Sequence, residues 1–192
     1  QDKQESNVVL DPDTNTVATA FVNAADARYQ GIELEVQWVA SENLNFFGTV
    51  GYLDAGYSEF LCDRNPNVQS ANPADDIVDC SDLNPRAAPK VTYGVGGTYS
   101  IPIGNGNLDL YVKYAYVGKM DGNLVNIPFA KVKSRGDLTA SISYEWDKYR
   151  ITVFGRNLTN DQIEFISPIA TLFASGTITP PRSWGVEIQG EF

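Results

Sequence analysis

A chain of 192 residues and 21.0 kDa with a formal net charge of -10 and a pI of about 4.4 lacks the basic surface that phosphate neutralisation requires, which excludes nucleic acid as a partner. It contains no histidine, so it has neither the usual general base of a Ser or Cys nucleophile nor the commonest metal ligand, and only an enzyme built from carboxylates stays open. Gln1–Ser6 is polar with no apolar core behind it, and no run approaches the roughly 18 apolar residues of a spanning helix; that test is blind to barrel strands, which carry apolar residues only at every second position.

The period along the chain is two. In Arg28–Ala40, Ile32, Leu34, Val36, Trp38 and Ala40 alternate with Glu33, Glu35 and Gln37. Leu44–Tyr57 places Phe46, Val50 and Tyr52 on one face. Val91, Tyr93, Val95, Gly97, Tyr99 and Ile101 form the next such face. Leu108, Leu110, Val112, Tyr114 and Tyr116 then stand opposite Asp109, Tyr111 and Lys113. Leu138, Ala140, Ile142, Tyr144 and Trp146 oppose Asp137, Thr139, Ser141, Ser143 and Glu145. Tyr149, Ile151 and Val153 face away from Arg150, Thr152 and Arg156, and in the last strand Trp184, Val186, Ile188 and Phe192 oppose Glu187, Gln189 and Glu191. Seven strands are predicted, each about the nine to eleven residues needed to cross a bilayer at a tilt. One such strand fits a soluble sandwich as well as a membrane barrel, so the set must decide.

The connections decide it. Short ones fall near Ser41–Asn43, Pro102–Asn107 and Asp147-Lys148; long ones near Ser58–Pro89, Val117–Lys133 and Leu158–Pro181. Short turns on one side and long loops on the other are the mark of an outer-membrane barrel, whereas a loop of roughly 30 residues argues against a compact soluble domain. Aromatics sort by end as well: Trp38, Phe46, Tyr99, Trp146, Tyr149 and Phe192 near the short turns, and Tyr29, Tyr52, Tyr93, Tyr116 and Trp184 toward the long loops. Amphipathic rings prefer the two membrane–water boundaries, so two girdles are expected.

Cys62 and Cys80 lie in a polar stretch rich in Asp, Asn and Pro, which points to a disulfide within one loop in an oxidising compartment; two free thiols are the alternative. Two cysteines without histidine fall short of structural zinc. Asp63, Asp75, Asp76, Asp79 and Asp82 share that loop, but their spacing matches no EF-hand, and a solvated acidic loop is expected.

Four segments resemble one family. Asn23–Glu35, ending Gly31-Ile32-Glu33-Leu34-Glu35, resembles the "G-[IV]-E-x-E" strand of TonB-dependent outer-membrane receptors. Ala88-Pro89-Lys90-Val91-Thr92 is similar to their "a-P-[KR]-x-[TS]" strand start, and Asn157-Leu158-Thr159-Asn160 to their "N-L-[TF]-[DN]" strand exit. Pro181-Arg182-Ser183-Trp184-Gly185-Val186 with a terminal Phe192 looks like their closing strand. The resemblance runs from about Asn23 to Phe192 and implies an all-β fold, the C-terminal strands of an antiparallel 22-stranded transmembrane barrel closed by an N-terminal plug. It implies residues 28–192 as barrel strands and residues 1–27 as the tail of an upstream strand with an extracellular loop, so that the chain starts in mid-barrel and does not close alone.

For function, the resemblance implies energy-coupled import of a scarce nutrient across the bacterial outer membrane, an iron–siderophore complex first, with cobalamin or a glycan as further candidates. No enzyme activity and no cofactor are implied. The implied partners are outer-membrane lipid and lipopolysaccharide, the plug and upstream strands, the inner-membrane TonB energy complex and the nutrient itself. Glu33, Glu35, Asp109, Lys113, Asp137, Arg150, Arg156 and Glu187 are the candidates to face the lumen and the plug, and Trp184, Ile188 and Phe192 the barrel-assembly signal, with Gly190 standing where an aromatic is common. The competing reading is a complete small outer-membrane barrel with a structural or adhesive role.

Overall fold

The computed structural model describes residues 2–11, 16–64, 77–124, 126, 128–169 and 173–191, with side chains from residue 26 onward except 164–175. The strands are β1 (Asp2–Asp11), β2 (Thr16–Ser41), β3 (Leu44–Asp63), β4 (Ile77–Asp79), β5 (Val91–Ile103), β6 (Gly106–Val117), β7 (Met120–Asp121), β8 (Lys131–Val132), β9 (Arg135–Trp146), β10 (Tyr149–Arg156), β11 (Glu164–Ile169), β12 (Phe173–Ile178) and β13 (Ser183–Gly190). A 3-10 turn, Pro128–Ala130, precedes β8, and among the described residues no helix is long and apolar enough to cross a membrane.

One nine-stranded antiparallel sheet runs in the order β1-β2-β3-β5-β6-β9-β10-β13, with β4 added to the end of β3. Sequential neighbours pair because tight turns join them: Glu42-Asn43, Gly104-Asn105 and Asp147-Lys148. Gly104 and Asp147 open their two-residue turns at φ 64 and 50, the left-handed geometry that matches the twist of the flanking strands. The sheet is open. Its first and last strands do not pair with each other, and β1 covers only Thr16–Asp26 of β2, so the far edges of β13 and of β2 from Ala27 onward have no partner among the described residues.

The register gathers the apolar side chains on one face. Ile32 lies across from Tyr52, and Tyr52 from Val91. Further along, Val95, Tyr114 and Leu138 line up in turn, as do Ile142, Val153 and Val186. This face is bare: Ile32 is 74% exposed, Ile188 72% and Trp184 80%. A soluble monomer does not tolerate an apolar surface of this extent, whereas lipid matches it. Among the described residues the buried apolar cluster sits instead at the loop end, around Tyr57, Phe60 and Cys80.

Two strands are longer than their alternation indicates. β2 starts at Thr16 rather than near Arg28, and β3 runs to Asp63 rather than ending near Tyr57. Past Ile32 the even-numbered face turns polar, with Arg28 and Gln30 meeting Asp54, so no apolar stripe marks the continuing ladder. A register shift between Asp26 and Ala27 then breaks the parity. Short strands also form where the sequence indicates only loop: β4, the β7–β8 pair and the β11–β12 hairpin.

Candidate functional site

The opposite face of the sheet carries the charges. Cross-strand pairing puts Glu33 with Gly51 and Thr92, Glu35 with Thr49 and Gly94, and Lys113 with Gly96 and Thr139. It puts Asp137 with Ala115, Asp109 with Ser100 and Ser143, Arg150 with Glu145, and Glu187 with Thr152. Arg156, two residues past Phe154, lies on the same side, its guanidinium 5.2 Å from the Phe154 ring centre. All eight sequence candidates therefore share one face, with every apolar stripe on the other.

Toward the short turns this face is tied by polar contacts. Arg150 Nε donates to Glu145 Oε2 at 2.8 Å. Asp109 Oδ1 accepts from Ser100 Oγ at 2.6 Å and from Asn107 Nδ2 at 2.8 Å, and Ser143 and Thr152 share a hydroxyl bond at 2.9 Å. Gln189 donates to Glu187, and at the long-loop end of β9 Thr139 donates to Asp137 at 3.1 Å. Higher on the wall the side chains are small, Thr49, Gly51, Thr92, Gly94 and Ala115, and no described ion pair engages Glu33 or Glu35. A cleft of about 490 Å³ opens there between Tyr29, Glu33, Leu53 and Pro89. Tyr29 shares the face of Glu33, so it is not a member of the outer girdle the sequence suggested.

Sequence reasoning placed Tyr111 on the charged face but missed Phe47 beside it. Phe47 stacks on Tyr111 at 6.2 Å and lies across Gly96, where a side chain would meet its ring. The signal was present: Phe46 and Phe47 are adjacent, and with a period of two one ring must face each way. On the apolar face the girdle rings do cluster. Trp38 stacks on Phe46 at 5.8 Å, Trp146 lies 5.4 Å from Tyr144 and 5.8 Å from Tyr149, and Tyr93 stacks on Tyr116 at 4.8 Å.

At the long-loop end of β10 a knot joins three strands. Asn157, at φ 47, donates through Nδ2 to the carbonyls of Asp161 at 3.2 Å and Pro180 at 3.0 Å, while its Oδ1 accepts the Asp161 N–H at 3.0 Å. Thr159 Oγ1 donates to the Gly136 carbonyl at 2.7 Å, and Gly136 N–H donates to Asp161 Oδ2 at 2.8 Å. These bonds hold the exit of β10 against the start of β9 and the approach to β13.

Cys62 and Cys80 form a disulfide with Cα atoms 5.8 Å apart. Beside it the Ser81 hydroxyl and N–H hold the Asp79 carboxyl below its ordinary pKa, and Arg64 pairs with Asp82. No group of acidic or sulfur ligands among the described residues could hold a metal ion; Asp75 and Asp76 lie outside them. On β13, Trp184 and Ile188 stand on the apolar face opposite Gly155 and Ile151, and Phe192 is outside the described residues.

A family model for the β-barrel of TonB-dependent-receptor-like proteins matches residues 1–158. The chain belongs to this family. Among solved structures the ferric yersiniabactin uptake receptor FyuA of Yersinia pestis matches with a TM-score of 0.73 at 15% identity, over 90% of this chain and 25% of that one. The ferric preacinetobactin receptor BauA of Acinetobacter baumannii matches with a TM-score of 0.60 at 20% identity, over 98% of this chain and 26% of that one. The chain thus spans about a quarter of the length of these receptors, and the likeness is one of fold. TonB-dependent receptors are transporters rather than enzymes, and their barrels sit in the bacterial outer membrane. The β10 exit knot is what the "N-L-[TF]-[DN]" motif builds in this chain.

Proposed function

We propose that this chain supplies barrel wall and long loops to an outer-membrane receptor that imports a ferric chelate, a siderophore complex, with energy delivered through the TonB complex. The observation that carries the reading is the two-faced open sheet: apolar side chains bare on one side, charges gathered on the other, and edges at both ends without a partner among the described residues. In lipid an unpaired edge costs several kcal/mol per backbone group, so a barrel continued by further strands at Ala27–Ser41 of β2 and at β13 is the stable arrangement. The apolar face then meets lipid, with lipopolysaccharide at the long-loop end. The charged face lines the lumen, where Glu33, Glu35, Asp109, Lys113, Asp137, Arg150, Arg156 and Glu187 are placed to meet the plug. Trp184 and Ile188, with Phe192, serve as the assembly signal. Both solved neighbours are receptors for ferric complexes, which favours iron over cobalamin or a glycan. The test is growth of a strain lacking the receptor on a panel of ferric chelates under iron limitation. Loss of growth on one chelate, restored by the intact gene, is expected; normal growth on all of them, with a defect in cobalamin or glycan use, overturns the substrate.

A further inference from the structure

The buried cluster of this protein is shared by two long loops. Tyr57 and Phe60, on the projecting part of β3, lie with their ring centres 4.4 Å apart and pack together with fully buried Cys80. Leu83 from the loop of residues 64–90 and Leu124 from the loop of residues 118–134 close over them. A polar tie lies alongside. Asn84 N–H donates to Asn126 Oδ1 at 2.7 Å, and Asn126 Nδ2 donates back to the Asn84 carbonyl at 3.0 Å. Asn84 Nδ2 donates to Asp121 Oδ2 at 3.1 Å, and Ala87 N–H to the Asp121 carbonyl at 2.9 Å. Pro85 between them is fully buried. Ala87 and Asn126 both hold left-handed backbone, φ 55 and 52, which persists only where the surroundings enforce it.

From these contacts we propose that residues 77–90 and 118–124, with Asn126, move as one body, and that the Cys62–Cys80 disulfide sets the order of a loop that contains no cysteine. Cys80 is the anchor. Its N–H donates to the Phe60 carbonyl at 2.7 Å, and the Leu83 N–H donates to the Cys80 carbonyl at 3.0 Å, so the bridge fixes the start of the segment that carries Asn84. Asp121 supplies the other half. It is only 8% exposed, its Oδ1 has no described partner, and Oδ2 accepts from Asn84. Removing Asn84 strands a buried carboxylate, which then draws in water by opening the β7–β8 pair. Loss of order therefore passes from the disulfide to Asn84, and from Asn84 to residues 118–132.

The experiment is hydrogen exchange, read by mass spectrometry, on the receptor in outer-membrane vesicles, comparing wild type, Cys62→Ser/Cys80→Ser and Asn84→Ala. In the cysteine variant, exchange is expected to rise about fivefold or more in residues 119–132 as well as 77–87, the change that loss of one or two ordinary hydrogen bonds produces. Asn84→Ala is expected to do the same in 119–132 with the disulfide intact. Exchange confined to 77–87 in the cysteine variant overturns the proposal. If that variant fails to insert, Asn84→Ala decides alone, and wild-type exchange in 119–132 then overturns it. The readout needs no substrate, so its failure leaves the import reading standing.

Discussion

Ile142 and Ser141 are adjacent on β9 and point to opposite faces, which makes them a direct test of which face meets lipid. Ile142 lies between Leu110 and Val153 on the apolar face and is 54% exposed. Ser141 lies between Tyr111 and Phe154 on the charged face. A lysine on the lipid face near the bilayer centre costs about 2–4 kcal/mol, and on the lumen face close to nothing. Each 1.4 kcal/mol is tenfold in an equilibrium constant, so Ile142→Lys is expected to lower the folding equilibrium in vesicles by roughly 30- to 700-fold. Ser141→Lys is expected to stay within about threefold of wild type. Denaturant titration of the receptor in vesicles, followed by tryptophan fluorescence, measures both. Were the apolar face solvated, Ile142→Lys would be neutral. A neutral Ile142→Lys, or a Ser141→Lys as costly as Ile142→Lys, refutes the assignment of faces and the membrane reading with it.

Gly96→Val should destabilise the sheet by about 1–3 kcal/mol, because its Cβ would lie 2.6 Å from the Val112 carbonyl and against the Phe47 ring. Gly56→Ala, with nothing near its Cβ, should be nearly neutral in the same titration, and equal effects would contradict the packing described. Asn157→Ala removes the side-chain bonds of the β10 exit knot and places alanine at φ 47, for a combined cost of about 2–4 kcal/mol; unchanged resistance to denaturant would refute the role of the knot. The Asp79 carboxyl is held below its ordinary pKa, so its contribution to order in residues 77–82 is present above the unfolded-state value of 3.8 and is lost as pH falls through the lower folded value. Ser81→Ala should raise that pKa, and carboxyl chemical shifts that titrate identically in both forms would contradict the cause assigned.

The faces of the sheet were legible because each crossing strand is apolar on one side only. Wherever a strand crosses the bilayer, as in Ile32–Trp38 or Leu108–Tyr116, one side must be apolar, and the parity of the sequence shows it. Loop lengths and the polar setting of Cys62 and Cys80 were legible for similarly direct reasons. The continuations of β2 and β3 were not, since a ladder in water needs no apolar stripe: Asn23, Asp26 and Glu59 pair there as readily as valines do. The β11–β12 hairpin was hidden by Pro168 and Gly176, which read as breakers yet sit within the paired register. For the charged face, parity gave the membership but not the partners. That Arg150 meets Glu145 follows only once the Asp147-Lys148 turn fixes the register, and that Asn84 meets Asp121 depends on how two loops fold over a common cluster.

The length of β2 has a consequence for how a solute reaches this receptor. A strand of 26 residues spans roughly 85 Å at about 3.3 Å per residue, while crossing a bilayer takes only about ten of them. With a tilt of about 45°, the remainder stands roughly 35–40 Å above the hydrocarbon, a twisted ribbon joined on one side by β1 and on the other by the end of β3. Solutes diffusing toward the cell surface would collide with this mast well before they reach the mouth of the pore.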